Sequence, residues 1–153
     1  MRIVLQRVSR ASVTIDGIAP RTITRGYVLL LGVTHGDTTS DADRLAARIP
    51  MLRLFPDDSG RMDRNLIEVD GQVLVISQFT LFASLKKGTR PSFTDAAQPG
   101  LARALYEYFV KALQKLVPHP VVTGEFAAHM DVELVNDGPI TLLLDTAGKN
   151  FGD

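Results

Sequence analysis

Val73-Leu74-Val75-Ile76-Ser77-Gln78-Phe79-Thr80-Leu81 is the stretch on which the fold turns. Four apolar residues run without alternation, which marks a strand covered on both faces. The run then stops abruptly and gives way to hydroxyl, amide, aromatic and hydroxyl groups. Strand ends are where α/β sheets place their sites, because backbone N–H groups leave the ladder there and become free donors. On spacing alone, an ordinary polar strand terminus is the favoured account of Ser77–Thr80.

A second run of this kind, Tyr27-Val28-Leu29-Leu30-Leu31-Gly32-Val33, reads as another doubly covered strand. Upstream, Ile3 and Leu5 alternate with charged neighbours, and Val8 and Ser12-Val13-Thr14-Ile15 lead to Asp16-Gly17, a strong hairpin signal. Between the two buried runs, Thr38-Thr39-Ser40-Asp41 offers a helix N-cap, with Leu45, Ile49 and Leu52 at helical spacing and Pro50 kinking the helix or ending it early. Pro56-Asp57-Asp58-Ser59-Gly60 is a turn. Downstream, Pro99 suits the first turn of a helix reaching about Leu116, with Leu101, Leu105, Tyr108, Ala112 and Leu116 as its apolar stripe. Three short strands are expected to close the chain, around Val121–Thr123, Met130–Val135 and Ile140–Leu144. The expected fold is therefore α/β: a single domain over residues 1–153, with a mixed, bent, barrel-like sheet and two helices layered on one side.

The chain has 153 residues and no cysteine, which excludes disulfides and thiolate metal sites. His35, His119 and His129 are scattered, and no spacing among them suits zinc. No Gly-x-Ser-x-Gly elbow and no Gly-rich phosphate loop occurs. Neither a metal nor a cofactor is expected. The N-terminal Met1-Arg2-Ile3-Val4-Leu5-Gln6-Arg7 has no apolar run fit for a signal peptide or membrane span, so a cytoplasmic protein is expected. Net charge is zero, which argues against gripping nucleic acid by bulk charge. Residues 1–36 and 83–119 are nonetheless basic and the other two segments acidic, which fits either a basic and an acidic face or a mixed surface.

Asn136-Asp137-Gly138-Pro139-Ile140-Thr141 carries turn chemistry between the last two expected strands, and a Gly-Pro bond held in cis is the alternative. Taken with Ser77–Leu81, this stretch resembles the paired motifs of D-aminoacyl-tRNA deacylases. The resemblance runs along nearly the whole chain, through Gln6-Arg7-Val8, Ala11-Ser12-Val13, Lys87-Gly88, Arg90-Pro91-Ser92-Phe93, Leu105-Tyr106-Glu107, Thr123-Gly124, Phe126 and Met130. Ile140 stands where that family more often has Val.

The resemblance implies hydrolysis of the ester joining a D-amino acid, or misattached glycine, to the terminal adenosine of tRNA. It implies a homodimer whose Gly138-Pro139 bond is cis and reaches into the partner's pocket as a chirality filter. Arg7 would brace that segment. Backbone N–H groups of Phe79 and Thr80, within Ser77-Gln78-Phe79-Thr80, would hold the oxyanion. Thr80 has no evident base beside it; the resemblance implies that the substrate's own ribose 2′-hydroxyl assists. Phe126 and Met130 would hold the adenosine, with Asn136 also in the substrate site. Lys86, Lys87 and Arg90, in the loop after the first motif, are candidates for acceptor-stem phosphates. Two rivals remain: an RNA-binding module stacking bases on Phe79, Phe82, Phe93 and Phe126, and a general esterase using Ser77 or Thr80 with a histidine.

Overall fold

The computed structural model describes residues 1–86, 88–148 and 151. Its elements are β1 (Arg2–Ile15), β2 (Arg21–Ile23), β3 (Gly26–Gly32), α1 (Thr39–Arg48), β4 (Phe55–Pro56), β5 (Met62–Arg64), β6 (Gln72–Ser77), α2 (Pro99–Gln114), β7 (Val122–Thr123) and β8 (Met130–Asp145). The two apolar runs pair as parallel neighbours, β3 with β6, in the order β2-β1-β3-β6-β7. Their residues alternate between two cores. Leu29, Leu31, Val73 and Val75 face the helices, while Val28, Leu74 and Ile76 face the inside of the curled sheet. Burial on both faces is why neither run alternates.

β1 is the long organiser. One edge pairs with β8 along its length, and the other is shared between β3 and β2. The sheet curls until its ends meet: Arg21 on β2 donates to the Thr123 carbonyl of β7 at 2.8 Å. The result is a mixed α/β domain with a nearly closed, barrel-like sheet. Val8, Ala11, Val13, Ile15 and Ile23 fill its interior.

Both helices pack on the outer layer of the sheet, contributing Ala42, Leu45 and Ile49 from α1 and Leu105, Phe109 and Leu113 from α2 to one core. Thr38 begins α1 as expected, its N–H donating to the Asp41 carboxylate at 2.9 Å. The helix ends at Arg48, with Pro50 in a following 3-10 turn. Two expectations need correction. α2 buries Ala102, Leu105, Tyr106, Phe109 and Leu113, whereas Leu101, Tyr108 and Leu116 are exposed. Both rows have helical spacing, so periodicity could not choose between them; the Tyr106 hydroxyl, bonded to the Val75 carbonyl at 3.0 Å, belongs to the buried one. The last two short strands are instead one strand, β8, with no hairpin between them.

Within β8, Asn136 pairs opposite Val8 and Thr141 opposite Gln6. Arg7 is therefore the single residue facing Asp137–Ile140, and the excess on β8 bulges outward. Gly138-Pro139 lies in this bulge and its peptide is cis.

Candidate active site

β6 delivers Ser77 to the edge of the sheet, and a 3-10 turn over Phe79–Phe82 follows at once. Two features fix this turn. Gly32 lets it approach β3 closely; a Cβ there would lie 3.1 Å from the Gln78 carbonyl and 3.1 Å from Leu81. Arg2 holds it from behind, donating to the Leu81 carbonyl at 2.7 Å while forking onto Asp145 and lying over the Phe82 ring. The Gln78 N–H is committed to the Leu31 carbonyl at 2.7 Å, and that of Leu81 turns back to Gln78. The N–H groups of Phe79 and Thr80, first in the turn, have no acceptor among the described residues.

These donors stand beside a cavity of about 650 Å³. Ser77, Gln78 and Phe79 form one wall, Phe126 and Met130 another, and Gln98 and Pro99 at the start of α2 a third. Phe79 is kept at the mouth by an edge-to-face contact with Phe93, centroids 5.0 Å apart. Arg103 covers the Phe126 ring at 5.1 Å, and the Glu125 N–H points at the Met130 sulfur at 3.4 Å. The cavity therefore offers an apolar, aromatic and sulfur-bearing slot next to two unspent amide donors. Such a set can hold a flat base and stabilise an oxyanion.

The side chains leave little room for a protein nucleophile. The Thr80 hydroxyl accepts from the Gln78 amide and has no base beside it among the described residues. His129 lines the cavity but is largely exposed, 3.8 Å from Asp131. No group of three or more His, Asp or Glu among the described residues could hold a metal ion. Among the described residues, no helix is long and apolar enough to cross a membrane.

A second cluster stands apart from this cavity. Arg7 is only 8% exposed, and it donates to the carbonyls of Asp137, at 2.8 Å, and Leu54. Asn136 closes the neck of the bulge, accepting from the Ile140 N–H at 2.7 Å and donating to the Ile140 carbonyl at 3.2 Å. Gly138 and Pro139 are exposed, and neither lines the chain's own cavity.

The family model described as D-Tyr-tRNA(Tyr) deacylase matches residues 4–145. The chain belongs to this family. It is 53% identical to a D-aminoacyl-tRNA deacylase of Opitutus terrae over 149 residues, 97% of this chain and 99% of that one. It is likewise 53% identical to the Thermomicrobium roseum protein of that name, covering 99% of this chain and 98% of the relative. Among solved structures, one titled c-Myc DNA Unwinding Element Binding Protein superposes with a TM-score of 0.89 at 36% identity, covering 97% of this chain and all of that one.

Of the residues the sequence singled out in this deacylase-family chain, Ser77, Gln78, Phe79, Phe126 and Met130 come together at one cavity. Thr80 adjoins it through Gln78. Arg7, Asn136, Gly138 and Pro139 assemble separately. Lys86 and Arg90 are exposed in a loop closed by paired Ser84–Ser92 backbone bonds, while Lys87 lies outside the described residues. Sequence reasoning missed Arg2 and Gln98, and gave Phe93 only a stacking role. Arg2 sits 79 residues from its carbonyl partner, and no local pattern marks such a contact.

Proposed function

We propose that this chain hydrolyses the ester of D-aminoacyl-tRNA, and of misacylated glycyl-tRNA, releasing the amino acid and free tRNA. The observation that carries this reading is the pair of free amide donors, Phe79 and Thr80, beside the Phe126–Met130 slot. The terminal adenine lies in the slot, which brings the ester carbonyl to the donors, and negative charge developing on its oxygen is held there. Thr80 lacks a base, so the neighbouring ribose 2′-hydroxyl assists the attacking water. No metal takes part, and turnover survives exhaustive chelation.

Gly138 and Pro139 are exposed and do not line the cavity of their own chain. In a homodimer each bulge enters the partner's cavity. Rigid carbonyls then fix the α-amino group, and backbone closes the direction an L side chain would take. Exclusion of this kind discriminates without reading the side chain, which suits many D-amino acids. Arg7 and Asn136 hold the bulge in shape; Lys86, Lys87 and Arg90 meet acceptor-stem phosphates. The protein works in the cytoplasm.

The test is incubation with D- and L-aminoacyl-tRNA bearing one side chain, at protein concentrations spanning the dimer dissociation constant. Release of the D-amino acid alone, with specific activity falling on dilution, is expected. Equal hydrolysis of both forms refutes the filter, and full activity in a monomer refutes the shared site.

A further inference from the structure

We infer that a second cavity, on the far side of Phe126, takes the cytidine that precedes the terminal adenosine, with Arg103 clamping the phosphate that joins the two. The inference rests on the deacylase reading, which seats the adenosine in the first cavity. The second encloses about 340 Å³ between α2 and the segment after β7, at the small end of the range for ligand sites. Phe126 lines both cavities, so the two adjoin at this one residue. A strand that fills the first and continues into the second must carry its linking phosphate past the Phe126 ring.

Arg103 lies at this crossing. Its guanidinium stacks on Phe126 at 5.1 Å, and it makes no ion pair among the described residues. Stacking occupies only the guanidinium face, leaving its in-plane N–H groups to fork a phosphate. Lys111, two helical turns further along the same face of α2, is also exposed and unpaired among the described residues, and lines the same cavity. Together they make a short cationic track along an otherwise neutral chain, as single strands require.

The rest of the lining selects a base. Tyr106, buried behind the cavity with its ring centroid 6.2 Å from that of Phe126, gives it an aromatic back wall. Glu107 and Glu125 also line the cavity, and neither pairs with a cation among the described residues. A carboxylate accepts from the exocyclic amine of cytosine, whereas uracil presents a carbonyl there and is repelled. Two acids in a phosphate track would otherwise be a liability. Cytidine gives them a partner.

The experiment compares D-aminoacyl-adenosine, D-aminoacyl-CpA and D-aminoacyl-UpA as minimal substrates by kcat/KM. CpA should exceed adenosine by about tenfold or more, the worth of one charge-assisted hydrogen bond or one stacked base. UpA should fall below CpA, and Glu107→Gln with Glu125→Gln should narrow that gap. In Arg103→Ala and in Lys111→Ala the CpA-to-adenosine ratio should collapse towards unity. If Arg103 merely supports Phe126, both substrates fall together and the ratio stays, which overturns the inference. Equal rates on adenosine and CpA in the parent protein also overturn it while leaving the deacylase reading intact. Failure to hydrolyse any of the three, together with failure on full-length D-aminoacyl-tRNA, refutes the deacylase reading and this subsite with it.

Discussion

Replacing Arg7 by methionine keeps the length of the side chain and removes its donors. The arginine is 8% exposed and binds two backbone carbonyls, of Asp137 in the β8 bulge and of Leu54 just before β4. Each buried carbonyl that loses its donor costs about 1–3 kcal/mol. The Asp137 carboxylate, 3.4 Å from Nε, is half exposed, so its ion pair adds little. The sum is about 2–6 kcal/mol, a large share of a typical total of about 5–15. For a chain of this size the melting temperature should fall by about 4–24 °C.

Activity should fall further than stability explains. Arg7 is the residue that faces the bulge, and misplacing a substrate-positioning group by about 1 Å commonly costs about a hundredfold in rate. Tyr27→Phe separates the two effects. Tyr27 pairs with Arg7 across β1 and β3, and its hydroxyl donates to the Leu52 carbonyl at 3.2 Å, so it holds the same 52–55 segment without touching the bulge. The assay is thermal or urea unfolding beside single-turnover deacylation of D-aminoacyl-tRNA. Arg7→Met should lose both; Tyr27→Phe should lose about 1 kcal/mol of stability and keep its rate. A destabilised Arg7→Met protein with parental deacylation would show that the bulge plays no part in the reaction.

Thr80→Ala keeps its backbone N–H and should stay within about tenfold of the parent, whereas a terminal 2′-deoxyribose should cost about 10²–10⁴-fold; a trapped ester on Thr80 would reverse the assignment. Gly138→Ala places a Cβ 2.7 Å from Ile140 Cγ1 and 2.9 Å from the Ile140 nitrogen, at a φ of +138°. The bulge must then shift, so D-substrate turnover should drop while circular dichroism stays parental. Burial pushes the Tyr106 hydroxyl up to about 12, with Arg21 opposing and Glu107 reinforcing, and burial raises Tyr27 further still against the pull of Arg7. Unfolded tyrosines ionise near about pH 10 while these stay protonated, so stability should hold below that pH and decline above it. Tyr106→Phe should flatten the decline, read as urea midpoints across that range. Deleting Asp137, Gly138 and Pro139 together should leave a folded chain that no longer deacylates.

The parts of the fold that were legible in sequence are those where one local rule acts alone. Two unbroken apolar runs could only be doubly covered strands, and Thr38 with Asp41 could only start a helix. Asp16-Gly17 turned the chain as read, with φ of 48° and 74°. The α2 face was misread because two apolar rows share one period, and only the surface that Val75 and β3 present decides between them. β8 was misread because Asn-Asp-Gly-Pro is turn chemistry whether the chain reverses or bulges; β1, more than a hundred residues away, keeps it straight. The cavity was legible in its motif residues but not in its third wall. Gln98 and Pro99 reach it only through the packing of α2 on the sheet.

The register of β8 explains why so large a bulge sits in a strand without breaking it. Below the bulge, Leu142 and Leu144 face the helices. Above it, Met130, Val132 and Leu134 face the barrel interior. All five positions are even-numbered, so the strand has changed faces in sequence terms, as inserting an odd number of residues requires. Three is the number by which β8 exceeds β1 between the Gln6–Thr141 and Val8–Asn136 pairs. Removing three residues would therefore set Ile140 opposite Arg7 and leave every apolar side chain facing as before. Asn136 and Ile140 are already joined across the neck at 2.7 Å, so the ends to be spliced are neighbours. Removing two would leave one residue in excess opposite Arg7, an ordinary one-residue bulge that keeps the same faces, and should also leave the sheet folded. A three-residue deletion that unfolds the barrel half of the sheet would refute this account of the bulge.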